Sequence, residues 1–471
     1  MRKIESKIME QKDQVSLNKF REYFQSHREE IIADYFTFLS FQSISSEKSY
    51  APQVLKCADW LFKYLQDMNF DVQLWPTSGH PTIFASDMRA GPDKPTLLIY
   101  NHYDVQPVDP LKEWRSPPFE PTVRDGVVYA RGAQDNKGQC FYTIQALKAL
   151  ISGNQPLPIN IKLCIEGEEE CGSAGLSEIL TQKQKELKAD YLAIVDLGIP
   201  NKKTPAVTLG IRGIVTMDLT VHCSNTDLHS GSHGGLVYNP LHAIAQILAS
   251  LHDSTGKVTI PGFYDAVVPL SEEERSKITL AFDEKHYQEI FGTIASGGEQ
   301  KYSPKERTWL RPTVEINGIS GGYSGQGFKT VIPAQASAKI SCRLVADQDP
   351  HIIGPMVAKF LEDQAPAGTT VNVSVHPGGG RAVRTSPDST IVQAFAQAYS
   401  DVFKAPCEFI FEGGSIPIVT ELAIESGSEV VLVGLGLVED QVHAPNEHFG
   451  LDRLEQGFLI MIRAIEILGE K

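Results

Sequence analysis

Long apolar runs are missing from this chain of 471 residues. No stretch approaches the roughly 20 consecutive apolar residues of a membrane-crossing helix, so no membrane partner is expected. The first residues, M-R-K-I-E-S-K-I-M-E-Q-K-D-Q, lack the apolar core of a secretory leader. Cysteine is sparse: the seven residues are scattered and none forms a C-x-x-C pair. That excludes a disulfide frame and a structural zinc knuckle, and fits reduced thiols in a cytoplasmic protein. Basic charge is also short, with 43 Lys and Arg against 58 Asp and Glu and a net charge of −15. Nucleic acid needs clustered cations and is excluded as the main partner. No G-x-S-x-G elbow occurs, which argues against a serine hydrolase. Cys171 follows three glutamates, which disfavour its thiolate and argue against a cysteine nucleophile. The glycine-rich G-G-Y-S-G-Q-G-F-K-T (321–330) is no phosphate loop, because Phe328 separates glycine from lysine.

What is present is a pattern of strands and helices. P-T-L-L-I-Y-N (95–101), I-N-I-K-L-C-I (159–165), D-Y-L-A-I-V-D (190–196) and S-E-V-V-L-V-G-L-G (428–436) are short runs, apolar on both faces. Such runs suit a mostly parallel sheet covered by helices. Helical spacing recurs at 137–151, 389–403 and 454–468. The middle differs. Residues 213–223, 313–316 and 336–344 alternate as half-exposed strands do, and 239–251 has helical spacing. The reading is α/β: a mostly parallel mixed sheet with helices on both faces, interrupted by an α+β insert. The discontinuous domain takes 1–210 and 383–471, and the insert takes 211–382.

Chemistry-bearing residues follow the proposed strands. His102-Tyr103-Asp104 follows the first, Glu166, Glu168, Glu169 and Glu170 the second, and Asp196 the third. His443 follows the fourth after a short loop, and Asp135 opens the first helix. Ligands of open α/β sheets bind outside the carboxyl ends of the strands, so these elements can converge there. Two imidazoles and three carboxylates suit zinc, manganese or cobalt. They are about the number needed by two divalent ions sharing one carboxylate. Asp104 can reach back to the second ring nitrogen of His102 and fix its tautomer. One glutamate of the cluster can bind metal and a neighbour can face the attacking water. The other glutamates are read as solvated charges.

The motifs H-Y-D (102–104), A-R-G-A-Q-D-N-K-G (130–138), E-G-E-E-E-C-G-S (166–173), D-L-H-S-G (227–231), K-T-V-I-P (329–333), E-G-G-S-I-P (412–417) and H-A-P-N-E (443–447) stand in one order. Together they resemble the di-zinc amidohydrolases of the aminoacylase, glutamate carboxypeptidase and carnosinase family. T-I-P-G-F-Y-D-A-V (259–267) points to the branch of cytosolic non-specific and Cys-Gly dipeptidases. The resemblance implies a zinc-peptidase-like catalytic domain and an inserted lid and dimerisation domain. It implies that His102, Asp135 and Asp196 hold one ion, and Asp135, Glu170 and His443 the other. Two divalent ions per subunit are expected, zinc first, with manganese or cobalt also suited. Glu169 becomes the general base for a metal-activated water. His229 becomes the oxyanion donor, reaching across a homodimer formed through the insert. Arg343, Thr330, Ser415 and Gly414, beside Gly413, become contacts of the substrate's terminal carboxylate. A cis peptide is expected after Asp135. Hydrolysis of dipeptides, or of small peptides with a free C-terminal carboxylate, follows from the likeness. The rival is deacylation of N-acyl amino acids or of succinyl-diaminopimelate on the same metal core. One departure stands out: V-H-P-G-G-G-R (375–381) inserts a proline between His376 and the glycines.

Overall fold

The computed structural model describes residues 2–152, 156–276 and 280–470. The chain divides into two compact units. One comprises Met1–Leu209, Thr385–Ile410 and Glu421–Lys471; the other comprises Gly210–Arg384 and Phe411–Thr420. The ten residues carrying the G-G-S turn therefore group with the smaller unit, whereas the sequence reading leaves them in the larger one.

In the larger unit the sheet runs in the order Asp71–Trp75, Thr82–Asp87, Asn160–Glu166, Thr96–His102, Tyr191–Val195, Glu429–Val433 and Ala206–Ile211. The central four of these strands are parallel, and antiparallel strands flank them. Both Thr96–His102 and Asn160–Glu166 are buried at every position. A strand can be apolar throughout only when both faces are covered. Helices Lys137–Ile151 and Thr390–Phe403 both pack on Leu451–Gly469. Leu454, Phe458, Met461, Ile465 and Leu468 recur on one stripe of the last helix and are buried. Because the central strands are parallel, their carboxyl ends share one rim. His102 stands opposite Glu166 in register, and Asp196 follows directly after Val195. A separate three-stranded sheet pairs His448–Gly450 with Val127–Tyr129. That pairing draws the loop before His448 to the loop before Lys137.

In the smaller unit four antiparallel strands stand in the order Thr313–Gly321, Gln335–Leu344, Gly213–His222 and Thr370–Val375. Gly213–His222 alternates buried and half-buried positions, so one face of the sheet meets a core. Helices Pro240–Ala249 and Pro350–Asp363 pack on these strands, and Leu219, Ile244, Ile340, Val357 and Leu361 fill the core. Each helix starts at a polar cap: the side chains of Asn239 and Asp349 accept from the N–H of Leu241 and His351.

Candidate metal centre

Two triads of donor atoms form at the rim of the larger sheet, one from His102, Asp135 and Asp196, the other from Asp135, Glu170 and His443. Within each triad the donor atoms lie within 4.8 Å of one another. Asp135 belongs to both. Its Oδ1 is 3.1 Å from His102 Nε2, and its Oδ2 is 2.9 Å from His443 Nε2. Asp196 Oδ1 lies 3.7 Å from His102 Nε2, and Glu170 Oε2 lies 3.2 Å from His443 Nε2. Glu169 Oε2 reaches to 4.0 Å from His102 Nε2.

The backbone explains how residues so far apart in sequence meet. Glu169–Cys171 is a single 3₁₀ turn ended by Gly172 and Ser173, both at positive φ. Asp104 holds this turn. Its Oδ1 and Oδ2 accept the backbone N–H groups of Glu169 at 3.2 Å and Glu170 at 3.1 Å. Ser45 Oγ donates to Asp104 Oδ2 at 2.6 Å. His102 Nδ1 lies 3.1 Å from the Asp104 carbonyl and 3.2 Å from its Oδ1, which leaves Nε2 facing the cluster. Asp104 thus orients the first imidazole and the glutamate turn together.

Asp135 is held by a residue that sequence reasoning missed. Glu447 is fully buried and accepts from Arg131 Nη1 at 2.8 Å and from the backbone N–H groups of Gly132, Gln134 and Asp135 at 2.8, 2.9 and 3.0 Å. It stands last in H-A-P-N-E, so the quoted motif contained it; only its burial gives it a role. The peptide Asp135-Asn136 is cis. Asn136 Nδ2 donates to Asp196 Oδ1 at 2.6 Å, tying the second aspartate to the same loop. Gln106 Nε2 donates to Glu170 Oε2 at 2.8 Å.

The two remaining glutamates are not solvated charges. Glu166 is fully buried and Glu168 is 4% exposed. Tyr100 donates to Glu166 Oε2 at 2.6 Å, yet burial pushes this carboxyl up to about 8. Glu168 accepts the N–H of His80 at 2.9 Å and that of Gly175. A Cβ at Gly175 would stand 2.4 Å from Glu168 Oε1 and 2.7 Å from Thr77 Oγ1, so only glycine lets the carboxylate lodge there. Runs of acid are usually solvent-facing, and this one is not: Glu166 closes a fully buried strand, and Glu168 is held by the N–H groups of His80 and Gly175.

The charge of the cluster asks for cations. Among the described residues no lysine or arginine pairs with Asp135, Glu169, Glu170 or Asp196. Burial, then Asp196, Glu170 and Asp135, raise the Glu169 carboxyl well above its usual range, against the pull of His102. Glu170 is raised to about 7 by burial first and by Asp135 next. Burial works against the charge on Asp135, but hydrogen bonds to His102 and His443 hold it below the usual range. His443 is raised to about 10 by its bonds to Asp135 and Glu170. Carboxylates crowded around imidazoles with a shared central aspartate are the donor set of divalent zinc, manganese or cobalt. Bound dications would reverse the local repulsion. The residues present therefore fit two such ions.

The other sequence-predicted residues lie in the smaller unit. His229 is exposed, and its Nδ1 accepts from Gly231 N at 2.9 Å. Its short strand pairs with Val331–Ile332, next to exposed Thr330, whose carbonyl accepts from Ser230 N at 3.0 Å. Arg343 Nη1 donates to Ser415 Oγ at 2.8 Å. Arg212 N donates to the Gly414 carbonyl at 3.0 Å. His376 is engaged with its own sheet: Nε2 is 2.9 Å from Asp218 Oδ2 and Nδ1 is 3.3 Å from Thr216 Oγ1.

An α/β sheet that gathers this acid-rich donor set at its carboxyl rim defines a metal-dependent hydrolase. The family model for peptidase family M20/M25/M40 matches residues 98–467, and the chain belongs to that family; it is a metallopeptidase. It is 34% identical to the Beta-Ala-His dipeptidase of Homo sapiens over 378 residues, which cover 78% of this chain and 73% of that one. It is 29% identical to the Cys-Gly metallodipeptidase dug1 of Schizosaccharomyces pombe over 460 residues, 94% of this chain and 96% of the other. Among solved structures, the M20 family metallo-carboxypeptidase Sso-CP2 of Sulfolobus solfataricus superposes with a TM-score of 0.84 at 34% identity, covering 94% of this chain and all of that one.

Proposed function

We propose that this chain hydrolyses the peptide bond of dipeptides, or of small peptides with a free C-terminal carboxylate, on a pair of divalent ions, zinc first. The observation that carries the proposal is Asp135, whose two oxygens face two different imidazoles at 3.1 and 2.9 Å. His102, Asp135 and Asp196 hold one ion; Asp135, Glu170 and His443 hold the other. Bound ions of this kind polarise a carbonyl and lower the pKa of coordinated water from 15.7 towards about 7. Glu169, beside the shared cluster with its backbone fixed by Asp104, accepts the proton of the attacking water and returns it to the leaving amine. Asp104 keeps His102 and the glutamate turn in place while this happens.

In the smaller unit, Arg343 and Ser415 present adjacent donors, and with Thr330 and Gly414 they receive the substrate's terminal carboxylate. His229, which is exposed, stabilises the oxyanion across a homodimer formed through this unit. A cytoplasmic location completes the reading. It is supported by seven free cysteines, and among the described residues no helix is long and apolar enough to cross a membrane. The dipeptidase names of the two relatives support the choice of substrate.

The test is chelation and reconstitution followed by a panel of dipeptides and N-acyl amino acids. The expected result is loss of activity on chelation, recovery with zinc, manganese or cobalt, and turnover of dipeptides. Turnover of acyl substrates alone identifies a deacylase, and no turnover with no metal bound identifies a binding protein that keeps the fold.

A further inference from the structure

In the smaller unit a second arginine stands beside the pair Arg343–Ser415. Arg212 spans the G-G-S turn from the other side. Its Nε donates to the Gly413 carbonyl at 2.9 Å and its backbone N–H to the Gly414 carbonyl at 3.0 Å. Its Nη1 lies 3.4 Å from the Arg311 carbonyl and 3.5 Å from Thr313 Oγ1. Thr313 is in turn the register partner of Arg343 across the sheet. Gly413 suits this close packing, since a Cβ there would stand 3.1 Å from Arg212 Nη2 and 3.0 Å from the Thr308 carbonyl, tighter than ordinary contact. Two half-buried guanidiniums thus grip one turn of three residues.

Neither guanidinium has an ion-pair partner among the described residues. The acids that act on Arg212 are Glu412 and Glu315, and neither bonds it; Glu412 Oε1 instead accepts the N–H of Gly413 at 2.7 Å and of Gly414 at 3.3 Å. Burial first, and the nearby Arg343 second, disfavour the charge on Arg212. Like charges part-buried together without a counter-ion are costly, and an anion relieves the cost. Both arginines are half-buried, so this local excess of cation is not a fully solvated surface.

We propose that Arg212 is a positioning residue of the carboxylate pocket. It fixes the Gly413–Ser415 turn through neutral acceptors, keeps its own charge uncompensated, and so makes recognition depend on the negative charge of the substrate's terminus. Its hydrogen bonds to carbonyls use Nε and Nη1, so it acts through the turn and through the local potential, while Arg343 makes the direct contact. This rests on the reading of Arg343, Ser415 and Gly414 as the site of a terminal carboxylate. The substrate class stays that of peptides with a free C-terminal carboxylate; what is added is that Arg212 sets the preference for them over the same peptides as C-terminal amides.

The experiment compares one dipeptide with its C-terminal amide, on wild type and on Arg212→Gln and Arg212→Lys, each loaded with metal. Hydrolysis gives the ratio of kcat/KM for acid over amide. Calorimetric binding of the two peptides to the Glu169→Gln background gives the same ratio without turnover. The expected result is an acid-over-amide ratio that falls about tenfold in Arg212→Gln, the scale of a charge-assisted hydrogen bond, through KM more than kcat. Arg212→Lys restores most of it. An equal loss on both peptides makes Arg212 a structural residue only and overturns the proposal. So does an unchanged ratio, or a wild type that binds acid and amide alike. If the wild type hydrolyses no dipeptide while calorimetry in the Glu169→Gln background shows a preference for the acid that Arg212→Gln lowers, the proposed function is overturned and the Arg212 assignment is supported.

Discussion

The two units each carry an unbalanced charge, and the signs are opposite. In the larger unit Asp135, Glu169, Glu170 and Asp196 crowd together, and among the described residues only histidines form ion pairs with them. In the smaller unit Arg212 and Arg343 flank one turn, and among the described residues no carboxylate bonds either. Two other buried arginines are paired with acids: Arg453 Nη2 meets Asp440 Oδ1 at 2.6 Å, and Arg131 meets Glu447 at 2.8 Å. Where compensation is withheld, a ligand of the opposite sign is the economical explanation. Acid excess around imidazoles asks for dications, and guanidinium excess around a glycine turn asks for an anion.

The comparison breaks most readily at the base. Glu169→Gln removes the proposed proton acceptor but no donor atom of either triad. Its kcat on a dipeptide should fall about a thousandfold, with metal content unchanged by elemental analysis. Substantial remaining turnover would show that the acid excess serves only the ions. Glu447→Gln sharpens the point, because the residue touches no donor atom and only holds the loop of Asp135. Metal affinity should weaken about tenfold to a hundredfold, measured by competition with a chromogenic chelator. In the smaller unit Arg343→Met should raise KM for a dipeptide about tenfold while the metal content stays at the wild-type level. The smallest effect belongs to His376→Ala. The histidine is committed to Asp218 on a part-exposed sheet face, so kcat/KM should stay within about twofold.

The centre of the fold was readable because its strands are apolar throughout and short. The helix predicted at 137–151 is Lys137–Ile151, and the strand predicted at 95–101 is Thr96–His102. Asp71–Trp75 was not found, since its exposed and half-buried positions carry no strong pattern at the sheet edge. Phe411–Thr420 follows the smaller unit because its turn is bonded by Arg212 and Arg343, which no local signal reveals. At the site, residues placed directly after strands announced themselves. The supporting layer did not: Glu447, Asn136 and Gln106 act by accepting or donating bonds within the fold, and a sequence does not display burial. Glu166 and Glu168 show the same limit, since their charges looked like solvent and are buried.

Two ions held by one shared aspartate are the heart of the proposed centre. The most direct test is metal content per chain, measured after reconstitution with zinc and exhaustive dialysis, for wild type, His102→Ala, His443→Ala and Asp135→Ala. The account predicts two ions in the wild type, about one in each histidine variant, and neither retained when Asp135 is lost. A wild type that keeps no ion, or an Asp135→Ala variant that keeps both, would contradict it.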